Sequence, residues 1–207
     1  MVKSLLSEAD ARDVETAVGR VESQSAAEVV IAVVPQSGEY WQGRVLLSVM
    51  WALAAGFAFL HFAPWRQPAL ALLLEVGVGG LGFAFSGLAW LQRRLVSPAA
   101  ANRAVNARAF QLFAERGLQG TRGRTALLIF VSELERRVVL LGDRTLNAEL
   151  GQRGWDEYVE LLVRHIRAGQ LRAGLLEVLE RLTPQLAALA PRAADDENEL
   201  PDAVLRS

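Results

Sequence analysis

Few side chains in this sequence could do chemistry, and the most unusual is Glu75, a carboxylate inside a long apolar run. An ionisable group at the centre of a membrane span costs about 2.5–3.5 kcal/mol on insertion scales, so such a residue has a role by default. Glu75 lies six residues beyond Ala69, roughly 9 Å along a helix. It can therefore reach the outer interface or pair with His61 or Arg66 across a tight turn. The same run holds Gly77-Val78-Gly79-Gly80-Leu81-Gly82, which matches the dinucleotide pattern G-x-G-x-x-G. That fingerprint needs a strand before it and an exposed helix N-terminus for the pyrophosphate, whereas these glycines sit within an apolar helix, so no cofactor is read from them. Helix packing explains them better. Gly80 with Ala84, Gly82 with Ser86, and Ala52 with Gly56 are small residues four apart, the spacing that lets helix backbones approach in lipid.

Outside that run, Gly142-Asp143-Arg144 follows a strand-like segment. Ligands gather at strand ends in α/β folds, which makes Asp143 the leading candidate for a catalytic or binding carboxylate. The alternative is a turn in which Gly142 and Asp143 serve backbone geometry. Glu133, Glu135, Arg136 and Arg137 are expected to form a solvated charge cluster protecting a sheet edge. His165, between Leu162 and Ile166, is expected to be an ordinary packed or surface histidine. Zero Cys excludes disulfides, thiolate metal sites and thiol nucleophiles, and two His leave no material for a multi-histidine metal centre. No Walker loop, nucleophile elbow or H-E-x-x-H helix is present. A net charge of −1 gives no global attraction to nucleic acid, which is not expected as a partner. No cofactor and no metal ligand are assigned.

The elements that must position these residues begin with two apolar segments. Residues 45–62 carry no formal charge over 18 residues, and residues 69–91 carry only Glu75 over 23. Both approach the roughly 20 apolar residues that cross a hydrocarbon core. A short loop between them makes a transmembrane helical hairpin, with the lipid bilayer as a partner. A signal peptide is a poor reading, because the first 44 residues hold Glu8, Asp10, Asp13 and Glu15 in a helical pattern. The loop carries only Arg66, whereas Arg44, Arg93, Arg94, Arg103 and Arg108 flank the outer ends, which places both termini in the cytoplasm.

The remaining chain reads as an α/β domain. Ser7 followed by Glu8-Ala9-Asp10 is a capping signal for a helix over residues 7–24. Residues 28–34 read as a strand buried on both faces, and Ser97-Pro98 opens a helix that Gly117 stops. Residues 125–131 and 137–141 read as an antiparallel strand pair. The first and second strands, joined through a helix, are expected to be parallel. Trp155, Val159, Leu162 and Ile166 mark a further helix, and residues 171–189 mark the last, which Pro184 is expected to kink or split. A small mixed sheet with packed helices buries these faces. The tail over residues 191–207, with Asp195-Asp196-Glu197-Asn198-Glu199, reads as acidic and flexible, so its deletion is expected to leave folding intact.

That order of elements, with Thr125 to Asp143 (TALLIFVSELERRVVLLGD), the opening helix running into SAAEVVIAVV, and Arg167-Ala168-Gly169 followed by Gly174, resembles the TPM domain. The resemblance covers residues 1–40 and 97–190. It is closest to a bacterial subgroup in which two transmembrane helices interrupt the domain and a tail similar to Asn198 to Asp202 (NELPD) follows. It implies a TPM-like α/β fold in the bacterial cytoplasmic (inner) membrane. Described roles in the family include assembly or repair factors for membrane complexes, receptor accessory subunits, metal-binding proteins and weak acid phosphatases. Many members carry acidic residues after the glycine matching Gly169, but this chain has Gln170 and Arg172. An arginine there opposes a hard cation, so no calcium site is carried over. The expected function is a non-catalytic accessory or assembly factor for a membrane-protein partner, and the alternative is a membrane-bound phosphatase-like hydrolase acting near Asp143.

Overall fold

The structure is a computed structural model that describes residues 6–62, 67–118, 125–192 and 204–206. The chain divides into two compact units, one of residues 38–101 and one of residues 2–37 with 102–207.

The first unit is the hairpin. Helix α2, Trp41–Phe62, starts four residues before the charge-free run and has 22 residues, about 33 Å of helix. Helix α3, Pro68–Phe85, has 18 residues, about 27 Å. Proline opens α3 within its first turn, where its missing N–H has no intrahelical partner to lose. Both helices are long and apolar enough to cross a membrane. The single span expected over residues 69–91 is corrected here: α3 ends at Phe85, and a short helix α4, Ala89–Leu95, follows a turn. Local chemistry explains the break. Ser86 Oγ donates to Phe83 O at 2.7 Å, and Gly87 follows it, a residue with little helix preference. Arg44 Nη2 also donates to Phe83 O at 3.3 Å, and its guanidinium lies 4.3 Å from the Phe83 ring centroid. A cation at a helix C-terminus is favoured by the helix dipole, and the ring face adds its own attraction.

The second unit is a three-layer α/β structure. The mixed sheet runs β3-β2-β1-β4, with β1 at Glu28–Val34, β2 at Ala126–Ser132, β3 at Arg137–Gly142 and β4 at Leu205–Arg206. β1 and β2 are parallel, and β2 and β3 are antiparallel. Every residue of β1 and β2 is buried, as continuous apolar strands covered on both faces should be. Alternate residues feed two cores. Val29, Ile31, Val33, Leu127, Ile129 and Val131 pack on helices α1 (Glu8–Gln24), α6 (Arg144–Arg167) and α7 (Leu171–Leu189). Val30, Ala32, Leu128 and Phe130 pack against Val105, Ala109 and Phe113 of α5 (Pro98–Glu115).

Ser7 caps α1 in a complete capping box with Asp10. The bonds to Ser7 hold the Asp10 carboxyl below its ordinary value, and Arg172 lowers it further. Helix α6 starts at Arg144, eleven residues before the Trp155 at which the sequence pattern begins, and it breaks at Gly151, where φ is 58° and ψ is 178°. Only glycine takes that backbone without strain. Helix α7 runs through Pro184 to Leu189 without splitting. The prolyl ring removes one N–H, and Thr183 Oγ1 donates to Leu179 O at 2.7 Å beside it. The tail expectation is also corrected. Val204 is buried, its N–H donates to Glu15 Oε1 at 3.1 Å, and β4 pairs with β1 in parallel. The acidic segment, Asp195 to Glu199, lies outside the described residues.

Candidate functional site

Among the described residues polar side chains gather in several places, and the first is the seam between α2 and α3. Ser48, Ala52 and Gly56 recur every four residues along α2 and face Glu75, Gly79 and Gly82 of α3. Ser48 Oγ donates to Gly79 O at 2.6 Å. A Cβ on Gly79 would meet Ala52 Cβ at 3.3 Å, and one on Gly82 would meet Trp51 Cδ1 at 3.3 Å. Glu75 turns into the seam rather than toward the loop: a Cβ on Gly56 would fall 1.8 Å from its Oε1. A residue without a side chain is what leaves room for the carboxyl.

The sequence-derived packing set is therefore rearranged. Ala52, Gly56 and Gly82 lie in the seam, whereas Gly80 and Ala84 are exposed and nothing stands within 4 Å of a Cβ on Gly80. The pattern of small residues four apart identified the seam of α2, but on α3 it found only Gly82 of the covered positions and missed Gly79, while Gly80 and Ala84 point away. Ser86 is buried as the cap of α3. His61 does not pair with Glu75; it stacks on Phe57 at 6.1 Å and meets Phe62 edge-on at 4.7 Å. Arg66, the other expected partner, lies outside the described residues. Gly77, Gly79, Gly80 and Gly82 all lie inside α3, with no strand before them, so they form no phosphate loop.

The second place is the amino end of the parallel strands, where Asp143 stands. β3 runs antiparallel to β2, so the segment after β3 returns to that end, opposite to the carboxyl-end crevice that α/β ligands favour. Asp143 is the N-cap of α6: its Oδ1 accepts from Leu146 N at 3.0 Å and its N–H donates to Ala126 O at 3.0 Å. Its Oδ2 is buried and accepts no hydrogen bond from the described residues. Asn147 Nδ2 donates to Gly142 O at 2.8 Å, and Trp155 Nε1 donates to Asn147 Oδ1 at 2.9 Å. Gly142 is required there, since its Cβ would meet Trp155 Cζ2 at 2.7 Å and Leu146 Cβ at 2.9 Å. These groups seat a helix on the sheet.

The third place is the carboxyl end of β1 and β2. Ser37 Oγ donates to Ser132 Oγ at 2.7 Å, Ser132 Oγ donates to Glu135 Oε2 at 2.5 Å, and Ser37 N donates to Glu135 Oε1 at 3.0 Å. The four-residue turn from Glu133 to Arg136 joins β2 to β3, with Arg136 at φ 51°. The charge cluster expected here is solvated only in part, because Glu133 is 2% exposed while Arg136 is exposed. Ser37 and Ser132 carried no motif signal; only the fold brings them together across 95 residues.

His165 sits where α6 meets α7. Its Nε2 lies 2.9 Å from Glu177 Oε2, and Arg181 holds the other Glu177 oxygen at 2.6 Å. The bond to His165, with Arg181 behind it, lowers the Glu177 carboxyl below its ordinary value. Gly174 allows this crossing, because a Cβ on it would meet His165 Cβ at 2.7 Å. Among the described residues no group of three or more His, Asp or Glu is gathered as a metal would require.

With this geometry in place, comparison with known proteins bears on the fold. No family model matches the chain, and no curated protein matches it. Among solved structures, it is similar to the NMR structure of BA42 protein from the psychrophilic bacterium Bizionia argentinensis. The identity is 15% and the TM-score 0.62, over 100% of this chain and 99% of that one. At that identity the likeness concerns the fold alone.

Proposed function

We propose that this chain is an integral protein of the bacterial cytoplasmic membrane in which α2 and α3 span the bilayer. A cytoplasmic TPM-like α/β domain, split by the hairpin, serves as a non-catalytic accessory or assembly factor for another membrane protein. The observation that carries this reading is the outward surface of the hairpin: Leu53, Phe57, Leu73 and Val76 are 65%, 73%, 69% and 68% exposed. Only 6% of the apolar window of α2 and 11% of that of α3 is buried. A core helix of a soluble protein would bury that surface, and hydrocarbon is the solvent that suits it. Orientation follows from Arg44, Arg93 and Arg94 at the ends of the helices away from the loop. Both termini are then cytoplasmic.

Co-purification tests the accessory role. The tagged full chain is isolated from native membranes in mild detergent, beside a version whose residues 45–91 are replaced by an unrelated two-span hairpin. A membrane protein retained by the wild-type chain supports the reading, and loss with the exchanged hairpin assigns recognition to the spans. Recovery of the chain alone in both preparations contradicts it.

A further inference from the structure

β3 is an edge strand. Because Asp143 N donates to Ala126 O, the alternation of an antiparallel ladder directs the backbone groups of Arg137, Val139 and Leu141 toward β2 and those of Val138, Leu140 and Gly142 outward. The bond from Asn147 to Gly142 O agrees with that phase. The outward N–H and C=O groups of Val138 and Leu140 have no hydrogen-bond partner among the described residues.

Beside this edge runs a groove of about 410 Å³ between α5 and α6, with Val105, Val139, Val159 and Val163 in its walls and Arg136 and Arg167 on its rim. Asn102, Asn106 and Arg137 share the lining with one carboxylate, Glu135, which accepts from Ser37 N and Ser132 Oγ, so three guanidiniums stand against a single negative charge. The site therefore presents unsatisfied strand backbone, valine-sized apolar walls and excess positive charge. Those features specify an occupant: backbone pairing selects an extended chain, and the arginines select acidic side chains. At the opposite edge β4 supplies such a strand from within the chain, whereas β3 has no covering segment among the described residues.

We propose that the β3 edge is a strand-addition site for an extended acidic peptide segment of the partner protein. The peptide backbone pairs with Val138 and Leu140, its small apolar side chains lie against the valines, and its carboxylates meet Arg136 and Arg167. This proposal rests on the accessory reading and names the surface that would do the recognising.

The test uses the detergent-solubilised full chain and three labelled peptides: one alternating glutamate and valine, one with lysine for glutamate, and one with proline at alternate valines. The acidic peptide is expected to bind saturably and to slow amide hydrogen exchange at Val138 and Leu140. The double variant Arg136→Glu/Arg167→Glu, with both changes on exposed side chains, is expected to weaken binding about tenfold, as two rim charge contacts would. Equal binding of the lysine or proline peptide, or unchanged exchange at the two amides, overturns the proposal. So does a concentration-dependent dimer that the double variant dissolves, since a second copy would then be the occupant. The accessory reading is judged separately, by co-purification: a partner retained equally by the wild type and the double variant leaves that reading standing and removes this surface from it.

Discussion

Replacing Gly56 by alanine should loosen the hairpin, and the cost can be worked from one contact. A methyl group there would lie 1.8 Å from Glu75 Oε1, 2.8 Å from its Cδ and 3.0 Å from its Cγ. All three atoms belong to one flexible side chain, so the helices need not separate; the carboxyl must instead leave the seam. Outside the seam it faces the apolar surround, where an ionised carboxylate costs up to about 2.5–3.5 kcal/mol, or roughly two orders of magnitude in the unfolding equilibrium. The assay is a titration with increasing mole fraction of SDS in mixed micelles, read by the fluorescence of Trp51, which lies against Gly82, with the other four tryptophans replaced by phenylalanine. Glu75→Ala removes the colliding group, so Gly56→Ala should cost little in that background, and the double-mutant cycle should return most of the single-mutant penalty. An equal penalty in both backgrounds would refute the reasoning, because the methyl would then be acting on something other than the carboxyl.

Three further outcomes are expected. Asp143→Ala should destabilise the α/β domain by about 0.5–2 kcal/mol through loss of the α6 cap, while Asp143→Asn should retain most of it; urea titration followed by hydrogen exchange of α6 checks both. The Asp10 carboxyl is held below its ordinary value of 3.8, so its contribution to α1 is complete above that pH and is lost as the pH falls through the lower folded value. Exchange at the α1 N-terminus should therefore accelerate below 3.8 in the wild type but not in Asp10→Asn. Truncation after Arg192 should lower the stability of the α/β unit by about 1–3 kcal/mol, since it removes buried Val204 and β4; an unchanged urea midpoint would show that the β1 edge needs no cover.

Elements with an unbroken apolar run or a strong apolar period were readable from sequence. The two-sided strands β1 and β2 and the charge-free residues 45–62 of α2 are such runs, and the capped α1 carries the period. What escaped was set by single contacts at a distance. Glycines along α3 are equivalent in sequence, and only the facing positions of Ser48, Ala52 and Gly56 decide that Gly79 and Gly82, not Gly80, are covered. The first part of α6 was missed because its strongest signal, Asp143 as N-cap, is also what a polar site would look like. β4 has two residues, too few for any periodicity, and its pairing with Ala32 and Val33 is a property of the folded sheet. Ser37 and Ser132 likewise meet only because β1 and β2 end side by side.

The central claim is that α2 and α3 cross a membrane with the connecting loop outside. The chain has no cysteine, so single cysteines at Gln67, beside the loop, and at exposed Glu149 on α6 can be labelled without background. An impermeant maleimide applied to intact bacterial cells should modify the Gln67 site and spare the Glu149 site until the membrane is permeabilised. Labelling of Glu149 but not Gln67 would invert the orientation, and labelling of both in intact cells would contradict a hairpin that spans the membrane.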